Sequence, residues 1–173
     1  QLSGFKGSLD NKISYFEFSN FISPQTIYEL NLETLSFETY WKTEIKGLDV
    51  AECKTSLEFY SSKDGTQIPI HLSHSTETKL TKDTPVLLYG YGGFNISILP
   101  YFSKTFYMWI KSGGVLAVAN IRGGSEYGDR WHKEGMLLNK QNVFDDFAYA
   151  AKYLHTKEIG SPDTTTSLGR SNG

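Results

Sequence analysis

Cysteine is almost missing from this sequence. Cys53 is the sole one among 173 residues, so no disulfide can close within the chain, which favours a reducing compartment. It stands in a Glu-Cys-Lys stretch with no histidine nearby in sequence and is read as structural. No apolar run approaches the length of a membrane span, and the first residues carry no secretory apolar segment. Neither sign of charge dominates: 17 Lys and Arg against 19 Asp and Glu leave a net charge of -2, with no basic block. Nucleic acid and anionic membrane surfaces are therefore poor partners for it. Aromatic residues, by contrast, are abundant, with 11 Tyr and 11 Phe, and the 39% hydrophobic share against 21% charged describes a folded, soluble chain. The length suits one domain with a real core, or one domain and part of another.

The first third reads as short antiparallel strands. Residues 13–18 are rich in aromatic side chains, residues 20–24 supply a turn, and residues 26–32 alternate, with Tyr28, Leu30 and Leu32 on one face. A further short strand is expected over 35–41. Such a meander is too small to stand alone and should belong to a larger all-β body. Next, Ser62-Lys63-Asp64-Gly65 separates strand-like runs at 57–60 and 68–72, a strong hairpin signal. Pro69 lacks an N–H, so its strand is expected at an edge, or paired on one side there. His71 and His74 lack the further ligands that a metal site needs, and they are expected at the surface.

The chain changes character at Pro85-Val86-Leu87-Leu88-Tyr89, a continuous apolar run of the kind buried on both faces of a parallel sheet. Gly90-Tyr91-Gly92-Gly93-Phe94-Asn95 follows directly. A dinucleotide-binding loop would need a third glycine at position 95 and a helix opening there; Asn95 and the Ile96 to Pro100 stretch supply neither. A helix is expected over 102–111, closed by a left-handed glycine in Ser112-Gly113-Gly114. Residues 115–120 form a second apolar strand, and residues 121–128 an irregular loop. Asn142 is expected to cap a helix whose apolar stripe is Val143, Phe147, Ala150, Ala151 and Leu154. Residues 164–168 then lead as a strand into Gly169-Arg170-Ser171-Asn172-Gly173.

That pentapeptide is G-x-S-x-G, the pattern of a serine on a tight turn between strand and helix, where the nucleophile backbone is forced toward sparsely allowed angles. Alone it is a weak signal, because glycine-serine loops are common. Its context strengthens it: strand, helix, strand, loop, helix, strand describes a parallel sheet with crossover helices, and the serine falls just past a strand. The fold class read from the sequence is α/β, and Ser171 is the candidate nucleophile. The chain starts at Gln1 and stops two residues after Ser171, so a piece of a longer protein is expected.

The Pro85 to Asn95 run closely resembles the prolyl oligopeptidase family. So do Gly114 to Gly124, Glu126-Tyr127-Gly128 with Trp131-His132, Lys140-Gln141-Asn142 with Phe144 to Phe147, and Ser171-Asn172-Gly173. The resemblance implies the end of a β-propeller over residues 1–45. It implies the first half of an α/β-hydrolase domain over residues 46–173, truncated just after the nucleophile. It implies a cytoplasmic, monomeric serine endopeptidase acting on short peptides after proline, with neither cofactor nor metal. Carried over by position, Ser171 is the nucleophile, the Asn172 N–H and the Tyr91 hydroxyl form the oxyanion hole, and Phe94 walls the proline pocket. From the residues alone, Tyr91 is equally well a packed tyrosine.

Two departures stand out. Arg170 occupies a position where the family has glycine, and residues 164–168 are more polar than a central strand should be. Acid and base follow the serine in these hydrolases, so His132 and His155 are not candidates for the base, and His155 is read as surface or packing. Without a base the serine is a weak nucleophile, and the 173-residue chain by itself is expected to be inactive. A relative with basic-residue or dipeptidyl preference, or a catalytically dead binding module, is the alternative.

Overall fold

The computed structural model describes residues 1–6, 8, 10–47 and 50–173. They form two compact units, Gln1–Ala51 with Leu99–Tyr107, and Glu52–Ile98 with Met108–Gly173.

In the first unit, β1 (Leu2–Lys6), β2 (Ile13–Phe18), β3 (Thr26–Asn31) and β4 (Phe37–Lys42) make an antiparallel meander in chain order. Asn20 Oδ1 accepts the Ile22 and Ser23 N–H groups at 3.0 and 2.6 Å, which closes the turn before β3. After β3, Asn31 Oδ1 does the same for Glu33 and Thr34, so the last strand starts at Phe37 rather than at residue 35. The β2–β3 register sets Phe16 opposite Tyr28. The Phe16 ring stacks at 5.1 Å on both Phe5 and Tyr28 and meets Phe37 edge-on at 5.6 Å. Ring pairs of this kind each contribute about 0.5–1.5 kcal/mol beyond simple burial.

The second unit holds a five-stranded sheet in the order β5 (Cys53–Ser61), β6 (Gln67–Ser75), β8 (Val115–Ala119), β7 (Val86–Tyr89), β9 (Thr165–Leu168). The expected hairpin joins β5 to β6, with Gly65 at φ +84° and Asp64 Oδ1 accepting the Thr66 N–H at 3.0 Å. The β7 strand runs parallel to both of its neighbours, and β8 is buried along its whole length. Helices α1 (Lys104–Lys111) and α3 (Gln141–Thr156) are the crossovers; α2 (Gly128–Lys133) is a short helix in the β8–α3 connection that the sequence pattern did not show. Gly113, at φ +92°, supplies the left-handed end of α1 as expected. Val143, Ala150 and Leu154 turn the buried face of α3 to Ile70, Val86, Leu88 and Val115 in the core.

Two expectations are corrected, and of the two readings of Pro69 the second holds: strand β6 lies inside the sheet, and Pro69 is paired on one side, opposite Phe59 of β5. Pro69 is tolerated because it falls one residue beyond the β6–β8 ladder, where only its carbonyl is used, accepting the Asn120 N–H at 2.9 Å. His74 is buried and its Nδ1 pairs with the Ser75 carbonyl at 2.8 Å, while His71 is half-buried; burial holds both below their ordinary pKa. Lys140, not Asn142, stands at the cap of α3, and the Asn142 amide instead donates to the Glu134 carbonyl at 2.9 Å. The polar strand β9 is paired only with β7 among the described residues, and most of its side chains are exposed.

Candidate active site

Two loops define the site, and the sheet sets them side by side. Strands β7 and β9 are parallel neighbours with Tyr89 opposite Leu168, so Gly90 and Gly169 leave the sheet together. Ligands of open α/β sheets bind beyond such carboxyl ends. Ser171 is exposed and sits at φ +56°, a left-handed conformation that is uncommon for a residue with a Cβ. The flanking glycines are needed for space. A Cβ on Gly169 would strike the Gly173 carbonyl, and one on Gly173 would come within 2.5 Å of the Gly90 carbonyl.

The glycine loop is equally tight. Gly92 lies at φ +57°, and a Cβ there would meet Val143 at 2.5 Å and Ile121 at 2.7 Å. Gly93 leaves room for the Asn172 side chain, which a Cβ would approach to 2.5 Å. That side chain crosses from the serine turn to the glycine loop: Asn172 Nδ2 donates to the Tyr91 carbonyl at 2.5 Å. Lys140 reaches in from the start of α3, donating from Nζ to the Gly92 carbonyl at 2.9 Å and to Asn172 Oδ1 at 3.1 Å. Burial pulls this ammonium below its ordinary pKa.

Tyr91 is half-buried. Phe94, three residues on, is 73% exposed, with φ +53° followed by φ +57° at Asn95. A cavity of about 260 Å³ lies beside the serine turn, lined by Gly90, Tyr91, Lys140, Phe144, Phe147 and Leu168 among others, and neither Ser171 nor Phe94 lines it. The structure thus brings Ser171, Asn172 and Tyr91 onto two adjoining loops and leaves Phe94 facing outward. Arg170 is exposed, which keeps its side chain in solvent. His132 Nδ1 pairs with the Gly123 carbonyl at 2.8 Å and His155 Nε2 with Thr165 Oγ1 at 3.0 Å, so both are engaged in packing the scaffold.

Beneath the loops, Arg122 is 2% exposed and Asp146 fully buried. The guanidinium holds Asp146 through Nε at 2.9 Å and Nη2 at 2.7 Å, and Nη1 reaches Asp64 Oδ2 at 2.6 Å. Burial opposes the charge on Arg122, yet the two carboxylates keep its pKa above the ordinary value. The same guanidinium lowers the Asp64 carboxyl to about 2. Ser62 Oγ and Tyr60 OH complete the network at 2.5 and 2.7 Å. It fastens the β5–β6 turn and α3 to the residue before Gly123, whose carbonyl accepts the Asn95 N–H at 3.1 Å.

Comparison with known proteins agrees with this geometry. A sequence profile described as the prolyl oligopeptidase family matches residues 100–173. A prolyl endopeptidase from Elizabethkingia meningoseptica is 42% identical over 171 residues, which is 99% of this chain and 24% of that protein. The chain is similar to prolyl oligopeptidases along nearly its whole length. Its fold agrees as well. The solved structure of a prolyl endopeptidase superposes with a TM-score of 0.92 at 40% identity, covering 99% of this chain and 25% of its own. Prolyl oligopeptidase B from Galerina marginata, solved with a 35-residue hydrolysis and macrocyclization substrate, gives 0.92 at 33% identity over 100% of this chain and 25% of that one. The chain spans about a quarter of the length of the curated relatives it matches. In this segment, sequence reasoning missed Lys140 as a bridge and Arg122 with Asp146 as a buried pair. A lysine at a helix cap was the available signal for the first.

Proposed function

We propose that this chain is part of a longer serine-type endopeptidase that hydrolyses short peptides on the carboxyl side of proline. Residues 1–45 would close a β-propeller, and residues 46–173 would open the α/β-hydrolase domain. Ser171 Oγ attacks the carbonyl carbon that follows the proline ring, and the developing oxyanion takes hydrogen bonds from the Asn172 N–H and the Tyr91 hydroxyl. Phe94 offers an exposed aromatic face for the proline. The base and its orienting acid follow the serine in this fold's chain order, and the activity is assigned to the full-length protein. Short proline-containing peptides are the substrates, and the protein acts as a cytoplasmic monomer. Among the described residues no helix is long and apolar enough to cross a membrane.

One observation carries the reading: a serine held at φ +56° directly beside the glycine loop, on neighbouring parallel strands. The test is fluorophosphonate labelling of the full-length protein. Label on Ser171, absent in Ser171→Ala, is expected; an unlabelled Ser171 in folded protein rules the peptidase out. Cleavage of proline-containing against arginine-containing peptides separates the prolyl reading from a basic-residue preference.

A further inference from the structure

The geometry points to Lys140 as a positioning residue that locks the two halves of the oxyanion hole together through the Asn172 side chain. This rests on the reading of Tyr91 and Asn172 given above and extends it to a residue outside the two loops.

The place of Lys140 is locally unfavourable. It stands at the cap of α3, where Ser, Thr, Asp or Asn would satisfy free N–H groups, and its side chain makes no capping bond. Positive charge is also disfavoured near a helix N-terminus. Breaches of local preference of this kind gather at functional sites. Here the ammonium is spent on the site, bonding the Gly92 carbonyl and Asn172 Oδ1 at once.

Donor chemistry explains what the ammonium does. An ammonium can only donate, so it requires the oxygen of the Asn172 amide to face it. The amide nitrogen is then turned to the Tyr91 carbonyl, where it donates at 2.5 Å. A flipped amide would set nitrogen against ammonium and oxygen against carbonyl, two repulsive contacts in place of two bonds. Lys140 therefore selects one amide orientation, and that orientation ties the Tyr91 backbone to the residue whose own N–H is the second donor. The Tyr91 hydroxyl sits at the far end of a long, rigid side chain, so a small tilt of its backbone moves the hydroxyl appreciably. Gly93 supplies the room for this crossing, since a Cβ there would occupy the place of the amide.

The test uses the full-length enzyme and compares Lys140→Met, Lys140→Arg, Tyr91→Phe and the Lys140→Met/Tyr91→Phe pair. Lys140→Met is expected to lower kcat by about 10- to 100-fold, as small misplacements of catalytic groups do, with KM little changed. Lys140→Arg, which still donates, restores most of it. In the Tyr91→Phe background the lysine change adds little, because there is no hydroxyl left to position. Equal losses in both backgrounds overturn the proposal, and so does an unchanged kcat in Lys140→Met while Tyr91→Phe is impaired. An unimpaired Tyr91→Phe instead overturns the oxyanion-hole reading and the proposal with it. If Lys140→Met does not fold, Asn172→Asp decides. It keeps the size and the backbone N–H but turns a carboxylate to the Tyr91 carbonyl, and full activity in that variant refutes the clamp.

Discussion

The Arg122 guanidinium and the Asp146 carboxylate meet as a two-pronged pair, Nη2 to Oδ1 at 2.7 Å and Nε to Oδ2 at 2.9 Å, with both side chains buried. Removing one partner strands the other charge away from water. Arg122→Met is therefore expected to destabilise the protein by about 3–5 kcal/mol in chemical denaturation, whereas Arg122→Met/Asp146→Leu recovers part of that loss. A single-variant loss below about 1 kcal/mol, the size of a surface pair, would refute the buried-pair account.

Asp64 adds a pH dependence to the same network. Its carboxyl is lowered to about 2 by the hydrogen bond from Arg122. A group depressed in the folded state stabilises fully above its unfolded pKa, and the contribution fades as pH falls toward the folded value. The unfolding midpoints of wild type and Asp64→Asn should then differ at neutral pH and converge between about pH 4 and pH 2. Because Asp64 is half-exposed, the difference should also shrink with added salt. A gap that widens on acidification contradicts the sign.

Gly93→Ala separates space from backbone strain. Among the loop glycines, Gly92 needs a positive φ, while Gly93 is limited only by the Asn172 amide that its Cβ would meet at 2.5 Å. Stability should change little, and kcat in the full-length enzyme should fall by about 10-fold or more through displacement of the amide. Full activity in Gly93→Ala would show that the crossing has slack.

Tyr91→Phe keeps the ring and deletes the hydroxyl. With the oxyanion role proposed for Tyr91, kcat of the full-length protein is expected to fall by about 10²–10³, with KM nearly constant, in steady-state assays. An unchanged kcat returns Tyr91 to the status of a packed tyrosine on a glycine loop.

Sequence alone determined what depends on period and on local turn chemistry. The apolar runs of β7 and β8, the Asp-Gly hairpin, the glycine end of α1 and the stripe of α3 each carry their signal within a few residues, and together they specify an α/β sheet. G-x-S-x-G likewise announces a strained serine, and Ser171 lies at φ +56°. Tertiary structure alone decided which distant groups meet. Pro69 left two readings open, an edge strand or pairing on one side, because its missing donor is a local fact, while the point where the β8 ladder begins is not. Nothing local marks Asp146: its partner Arg122 is 24 residues away and its partner Ser62 is 84 away. Lys140 bonds Gly92 across 48 residues and Asn172 across 32, and no periodicity encodes such a meeting. Hydrogen bonds of that separation exist only once the parallel strands have brought the loops together, which is why the strained serine could be read from five letters and its surroundings could not.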